Sequence, residues 1–209
     1  MRLFRRRAEE GGDGERILVV GLGNPGREYA ATRHNVGFEI ADLLSSRWEL
    51  PRARERFAGL ITEGRAGPGG SRVALLRPQT YMNEAGSSAG PARGSLKVPL
   101  DRIVVLHDEI DLPFGDVQSR FGGGLAGHNG LRSMRDGLGG ADFWRVRAGV
   151  GRPESTDPEI VSRYVLSKFR ESPEEVRELI ERAADEAERL VERIGAGQSE
   201  EVGGQEADT

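Results

Sequence analysis

The 209-residue chain, 36% hydrophobic and 31% charged, is long enough for one domain with a proper core and too short for two comfortable ones. It has no cysteine, which excludes disulfides and thiolate metal sites, and no apolar run approaches the roughly 20 residues that span a bilayer. The net charge of −4 does not exclude a phosphate-rich partner: residues 17–170 hold 21 basic and 17 acidic side chains (net +4), while residues 171–209 hold four basic and 13 acidic (net −9).

Residues 1–15 carry Arg5-Arg6-Arg7 but lack the apolar stretch and cleavage site of a secretory signal, so they read as a disordered extension and the cytoplasm as the address. Ile17-Leu18-Val19-Val20 is a short apolar run ending in glycines, the pattern of a buried strand. It leads into Gly21-Leu22-Gly23-Asn24-Pro25-Gly26, a literal G-x-G-x-x-G. A dinucleotide site is disfavoured here. Pro25 and Arg27-Glu28-Tyr29 delay the next helix, so its N-terminus does not face a pyrophosphate, and no acid stands at the end of a second strand. The glycines read instead as letting the loop turn sharply and expose Asn24.

Thr32-Arg33-His34-Asn35 follows, at the mouth of a helix whose apolar residues Val36, Ile40, Leu43, Leu44 and Trp48 recur at helical spacing. Phe57 to Thr62 and Arg72 to Leu76 read as strands joined by the glycine-rich loop 64–70. Gln79-Thr80-Tyr81-Met82-Asn83 comes next. The segment from Asn83 to Leu96 should be helical, yet it holds three glycines and Pro91, which should kink or split it. Ile103 to Leu106 is a second fully apolar strand, and His107-Asp108-Glu109-Ile110-Asp111 sits at its end, where catalytic groups collect in open α/β sheets. A histidine near an aspartate is the minimum for an oriented general base. The acids at 108–111 have no spacing that specifies a metal.

Val117 to Phe121 and Trp144 to Val150 alternate like strands, and between them lies the glycine-dense run from Gly122 to Gly130, containing His128-Asn129. Pro158 to Ser167 and Pro173 to Ile194 read as helices, and residues 195–209 as a disordered acidic tail. The alternation fits an α/β fold: a single domain, residues 16–194, with a twisted mixed β-sheet surrounded by helices. Asn24, Asn83 and Asn129 fall at three separate loop ends, where neutral amides suit carbonyl recognition and oxyanion stabilisation. No serine or cysteine stands in a strained elbow, so activated water is favoured over an acyl-enzyme.

In order and wording, the stretches GLGNPGREYAATRHNVGFEIADLL, RPQTYMNEAG, VVLHDEIDLPFG, GGGLAGHNGLRSM and VRAGVGRP resemble the bacterial peptidyl-tRNA hydrolase family. The likeness runs roughly from residue 17 to residue 190. It implies an esterase that works without metal or cofactor and cuts the bond between a peptide and the 3′ end of tRNA, freeing the tRNA for translation. Carried onto matching positions, it implies His34 as base, assisted by Asp108. Asn24 and Asn83 would hold the substrate, Asn129 the ester region or the water, and Tyr29 would pack beside the site. His128 would lie in a mobile glycine-rich gate, and Arg120 with Arg147 would clamp the 5′ phosphate of the tRNA acceptor end. A cytoplasmic monomer with no membrane contact is the accompanying expectation. Three departures stand out: Ala126 in place of glycine, which should stiffen the gate; Gln118 in place of a basic residue, which should thin the tRNA track; and Pro91 within a normally continuous helix. The alternatives are a non-catalytic RNA-binding protein on the same scaffold and a small-molecule ester hydrolase; retention of His34, Asp108 and the three asparagines favours the enzyme.

Overall fold

The computed structural model describes residues 16–197; the terminal segments expected to be disordered, 1–15 and nearly all of 195–209, lie outside them. Strand β1 (Ile17–Gly21) is buried along its whole length because both faces of the sheet are covered, which is why its sequence is apolar without alternation. It runs parallel to β4 (Arg72–Pro78) on one side and β5 (Ile103–Glu109) on the other, with Val19 opposite both Leu75 and Val104. Strands β2 (Arg54–Arg56) and β3 (Gly59–Arg65) extend the sheet antiparallel beyond β4. Beyond β5 come β7 (Trp144–Gly149), parallel, and β6 (Val117–Phe121), antiparallel at the far edge. The order is β2-β3-β4-β1-β5-β7-β6. The mixed α/β sheet anticipated from the alternation of elements is therefore borne out.

Helices α1 (Val36–Arg47) and α5 (Pro173–Gly195) cover one face, over Ile17, Val19, Val104 and Val146. Helices α2 (Ala85–Leu96) and α3 (Asn129–Leu138) cover the other, over Leu18, Val20, Leu76 and Val105. The short α4 (Pro158–Val165) precedes α5, which starts with Pro173 and a capping box between Ser172 and Glu175. Boundaries shift where local backbone wins over pattern. Phe57 and Ala58 turn through positive φ (57° and 49°), so β3 starts only at Gly59. The charged, exposed β2 carries no apolar alternation and was not anticipated; short charged strands suit a sheet edge.

Pro91 does not split its helix. α2 is continuous through it. Ser87, whose carbonyl loses its helical partner, is exposed like Pro91, so water can satisfy that group. The glycines that lower its propensity serve tertiary contact. A Cβ on Gly86 would strike the backbone carbonyl of Ser133, and one on Gly137 would strike that of Gly86. α2 and α3 thus lie backbone against backbone, with Gly86 N–H donating to Ser133 Oγ at 2.9 Å.

Candidate active site

The chain leaves β1 to build strands on both sides of it, and the loops after β1, β4 and β5 meet at that switch point, the crevice where open α/β sheets place ligands. Asp108 is delivered from the C-terminal end of β5 and is 2% exposed. The 3₁₀ turn Arg33–Asn35 brings His34 beside it. His34 Nδ1 lies 2.9 Å from Asp108 Oδ1 and 3.1 Å from Oδ2. A carboxylate can only accept, so Nδ1 carries the proton and the Nε2 lone pair is left unspent. Burial pulls the His34 pKa down, but the charge and hydrogen bond of Asp108 outweigh it and hold the group above its ordinary 6.5. Asp108 itself, although buried, is held well below the usual carboxylate range by His34 and His128.

His128 closes the glycine-rich run that begins at Gly122. It is the N-cap of α3: its Nδ1 accepts the Leu131 N–H at 3.3 Å, and its Nε2–H donates to Asp108 Oδ1 at 3.0 Å. One carboxylate therefore binds two imidazoles, whose ring centroids are 5.0 Å apart. The third histidine, His107, is fully buried and donates Nδ1–H to the Asp108 carbonyl at 2.7 Å. Burial above all pushes its pKa down to about 3, so it stays neutral. Among the described residues, His34, Asp108 and His128 could together hold a metal ion, their ligand atoms lying within 4.8 Å of one another. Binding one would require both imidazole–Asp108 hydrogen bonds to be given up.

Asn24 is not exposed as the glycine reading suggested; it is 7% exposed and locked. Asn35 Oδ1 accepts the Asn24 N–H at 2.9 Å, and Asn35 Nδ2 donates to the Asn24 carbonyl at 2.9 Å. Asn24 Oδ1 accepts the Met82 N–H at 2.7 Å, which leaves its Nδ2 donors for a ligand. The nearby glycines matter for packing: a side chain at Gly23 would enter the Phe38 ring. Asn83 and Asn129 are exposed and share one lined trough of about 720 Å³ along the α2–α3 seam. Tyr29 is half-buried and stacks edge-on against the exposed Tyr81 at 6.5 Å.

The two arginines expected to act as a pair are not equivalent. Arg147 donates to Glu109 Oε2 at 3.0 Å and to Gln118 Oε1 at 3.1 Å. Gln118, the departure from a basic residue, thus anchors Arg147. Arg120 is exposed and, among the described residues, has no hydrogen-bond or ion-pair partner. Arg145, opposite Arg120 in register, is buried; sequence reasoning missed it because an arginine on a strand signals nothing until its strand partners are known. Arg33, in the 3₁₀ turn, was missed because its partners are far away in sequence. It is 2% exposed and donates to Ser167 Oγ at 2.9 Å, to the Lys168 carbonyl at 2.6 Å and to Glu171 at 3.1 Å, fixing the turn that carries His34.

The family model described as Peptidyl-tRNA hydrolase matches residues 18–206 of the chain. The peptidyl-tRNA hydrolase of Sorangium cellulosum (strain So ce56) is 52% identical over 153 residues, 73% of this chain and 68% of that protein. That of Mycobacterium avium (strain 104) is 46% identical over 181 residues, 85% of this chain and 92% of that one. The crystal structure of peptidyl-tRNA hydrolase from Acinetobacter baumannii superposes with a TM-score of 0.76 at 38% identity, covering 88% of this chain and 91% of that chain.

Proposed function

The chain belongs to the peptidyl-tRNA hydrolase family, and from that premise we propose that His34 activates the water that cleaves the ester between a peptide and the 3′ end of tRNA. The observation that carries the reading is the 2.9 Å contact between His34 Nδ1 and Asp108. It sets the tautomer, leaving Nε2 to take a proton from water as the oxygen attacks the ester carbonyl. Asp108 stabilises the imidazolium that forms and stays ionised. As the carbonyl oxygen gains charge, the free Nδ2–H groups of Asn24 suit an oxyanion, with Asn83 and Asn129 flanking the substrate. The imidazolium then returns its proton to the departing ribose oxygen, and the carboxylic acid and tRNA leave.

Arg120 is the exposed cation for the phosphate of the acceptor end, with Arg147 beside it, while Tyr29 and Tyr81 offer aromatic surface. In this reading the protein acts as a cytoplasmic monomer on peptidyl-tRNA without a cofactor. No helix among the described residues is long and apolar enough to cross a membrane. The test compares hydrolysis of N-acetyl-aminoacyl-tRNA with that of unblocked aminoacyl-tRNA, with and without a chelator. Cleavage of the blocked substrate alone, unaffected by chelation, supports the reading; binding of tRNA without release from either substrate overturns it.

A further inference from the structure

Arg145 is 2% exposed on β7, between Val105 of β5 and Arg120 of β6. Among the described residues it has no hydrogen bond to a carboxylate. Its Nη1–H donates to the Gly124 carbonyl at 2.8 Å and its Nη2–H to the Gly122 carbonyl, while its Nε is buried without a partner. Burying a guanidinium that is hydrogen-bonded to no carboxylate is costly: burial above all, with the nearby Arg120 and Arg147, pushes it below the usual arginine range, and the charge of Glu109 offsets this only in part. An apolar side chain would cost less at a position that only had to pack.

The two carbonyls belong to the loop that ends at His128. Gly122 N–H is held by the Phe143 carbonyl at 3.0 Å, Gly122, Gly123, Ala126 and Gly127 all have positive φ, and His128 N–H returns to the Leu125 carbonyl at 2.8 Å. Such a backbone has few bonds of its own, so the planar fork of Arg145, which reaches two carbonyls at once, defines its shape. A lysine would supply one charge and could not reproduce the fork.

We propose that Arg145 is a positioning residue: by gripping Gly122 and Gly124 it fixes the loop that presents His128 to Asp108, and so sets the far side of the carboxylate that orients His34. The inference rests on the reading of His34 and Asp108 as the catalytic pair. Its path is continuous on the molecule: Arg145 to Gly124, the loop to His128, His128 Nε2 to Asp108 Oδ1, and Asp108 to His34.

The experiment uses the full chain with Arg145→Lys and Arg145→Met. Steady-state kinetics are measured on N-acetyl-aminoacyl-tRNA and on N-acetyl-aminoacyl-adenosine, which lacks the phosphates. Imidazole ¹⁵N–¹H spectra follow the His128 Nε2–H bond. Both variants should lose about tenfold or more in kcat on both substrates, the scale of a misplaced reacting group. The His128 Nε2–H signal should lose its hydrogen-bonded position, while KM for the short ester stays close to that of the unaltered protein. A rise in KM for tRNA alone, with kcat and the histidine signal unchanged, would make Arg145 an RNA contact and overturn the proposal. Native histidine signals with a loss explained by unfolded protein would overturn it too. If the unaltered protein cleaves neither substrate, the catalytic reading fails; the histidine signal still tests whether Arg145 positions the loop.

Discussion

Asp108 Oδ1 lies 2.9 Å from His34 Nδ1 and 3.0 Å from His128 Nε2, so one carboxylate orients two imidazoles. Of the two rings, only His34 keeps an unspent lone pair, since His128 Nδ1 accepts the Leu131 N–H. Replacing His34 by Ala should lower turnover by about 10²- to 10⁴-fold, with tRNA binding kept. Asp108→Asn should fall between that variant and the unaltered protein. The reaction needs neutral His34, so kcat/KM should rise with pH through a midpoint above 6.5. Without the Asp108 charge, burial dominates, and the midpoint in Asp108→Asn should move down. A single-turnover pH profile that does not move on that substitution removes His34 from the role of base.

The histidines also predict how stability follows pH. His34 has a raised folded pKa, so its contribution is complete below the unfolded value of 6.5 and is lost as pH climbs through the folded value. His107 has the opposite sign. The unfolded chain protonates it near 6.5 and the folded chain only near about 3, so stability falls across that window as pH drops. One proton corresponds to about 1.4 kcal/mol per pH unit. His107→Asn, which keeps an N–H donor, should flatten the acid limb of urea midpoints between about pH 6 and pH 4. Equal slopes for the two proteins would count against a neutral buried His107.

Two glycines of the same helix should respond to alanine with opposite signs. Nothing stands within 4 Å of a Cβ at Gly94, so Gly94→Ala should stabilise by about 0.5–1 kcal/mol through helix propensity and a stiffer unfolded chain. At Gly86 the added methyl meets the Ser133 carbonyl and should cost about 2 kcal/mol as α2 is pushed off α3. Thermal denaturation of both variants decides it; stabilisation by Gly86→Ala would refute backbone contact between the helices.

What the sequence showed and what it hid divide along a physical line. His34 and Asp108 were legible because each sits in a local motif beside an apolar element, His34 at the mouth of a helix and Asp108 at the end of a strand. The covered sheet was legible because Ile17 to Val20 and Ile103 to Leu106 cannot be exposed on either face. Asn35, Arg33 and Arg145 were illegible: each acts on a backbone that only the fold brings near. Pro91 misled because propensity describes an isolated helix, whereas α2 is set by glycines that fit another helix. The place of His128 after the glycines was legible, but its ring capping α3 and meeting Asp108 was not, because only the fold brings Asp108 near.

Ala126 adopts φ 46°, a left-handed conformation that a side chain disfavours. Ala126→Gly should relieve that strain, partly offset by a freer unfolded chain, for a net gain of about 0.5 kcal/mol. The melting temperature should rise by about 1–2 °C. A fall would mean that the methyl makes a contact worth more than its strain.

Arg120 and Arg147 should separate in a salt titration. Arg120→Ala should raise KM for tRNA and flatten its salt dependence by about one counterion. Arg147→Ala should do this less and should also destabilise the fold, since it strands Glu109, 4% exposed, without its partner. The measurement is KM against salt beside urea unfolding. Unchanged slopes in both variants would leave the phosphate without either anchor.

The grip of Arg33 on Ser167, Lys168 and Glu171 has a consequence for synthesis. The turn that carries the proposed base is made early, but its fastening lies more than 130 residues further along the chain, and α5, which covers Ile17 and Val19, comes later still. A nascent chain that has passed β7 therefore has every proposed catalytic group and no finished site, with the part of the sheet face that α5 covers beside α1 left in water. Termination before residue 171 should yield a product that aggregates and does not hydrolyse, so activity waits until the chain has been made through α5.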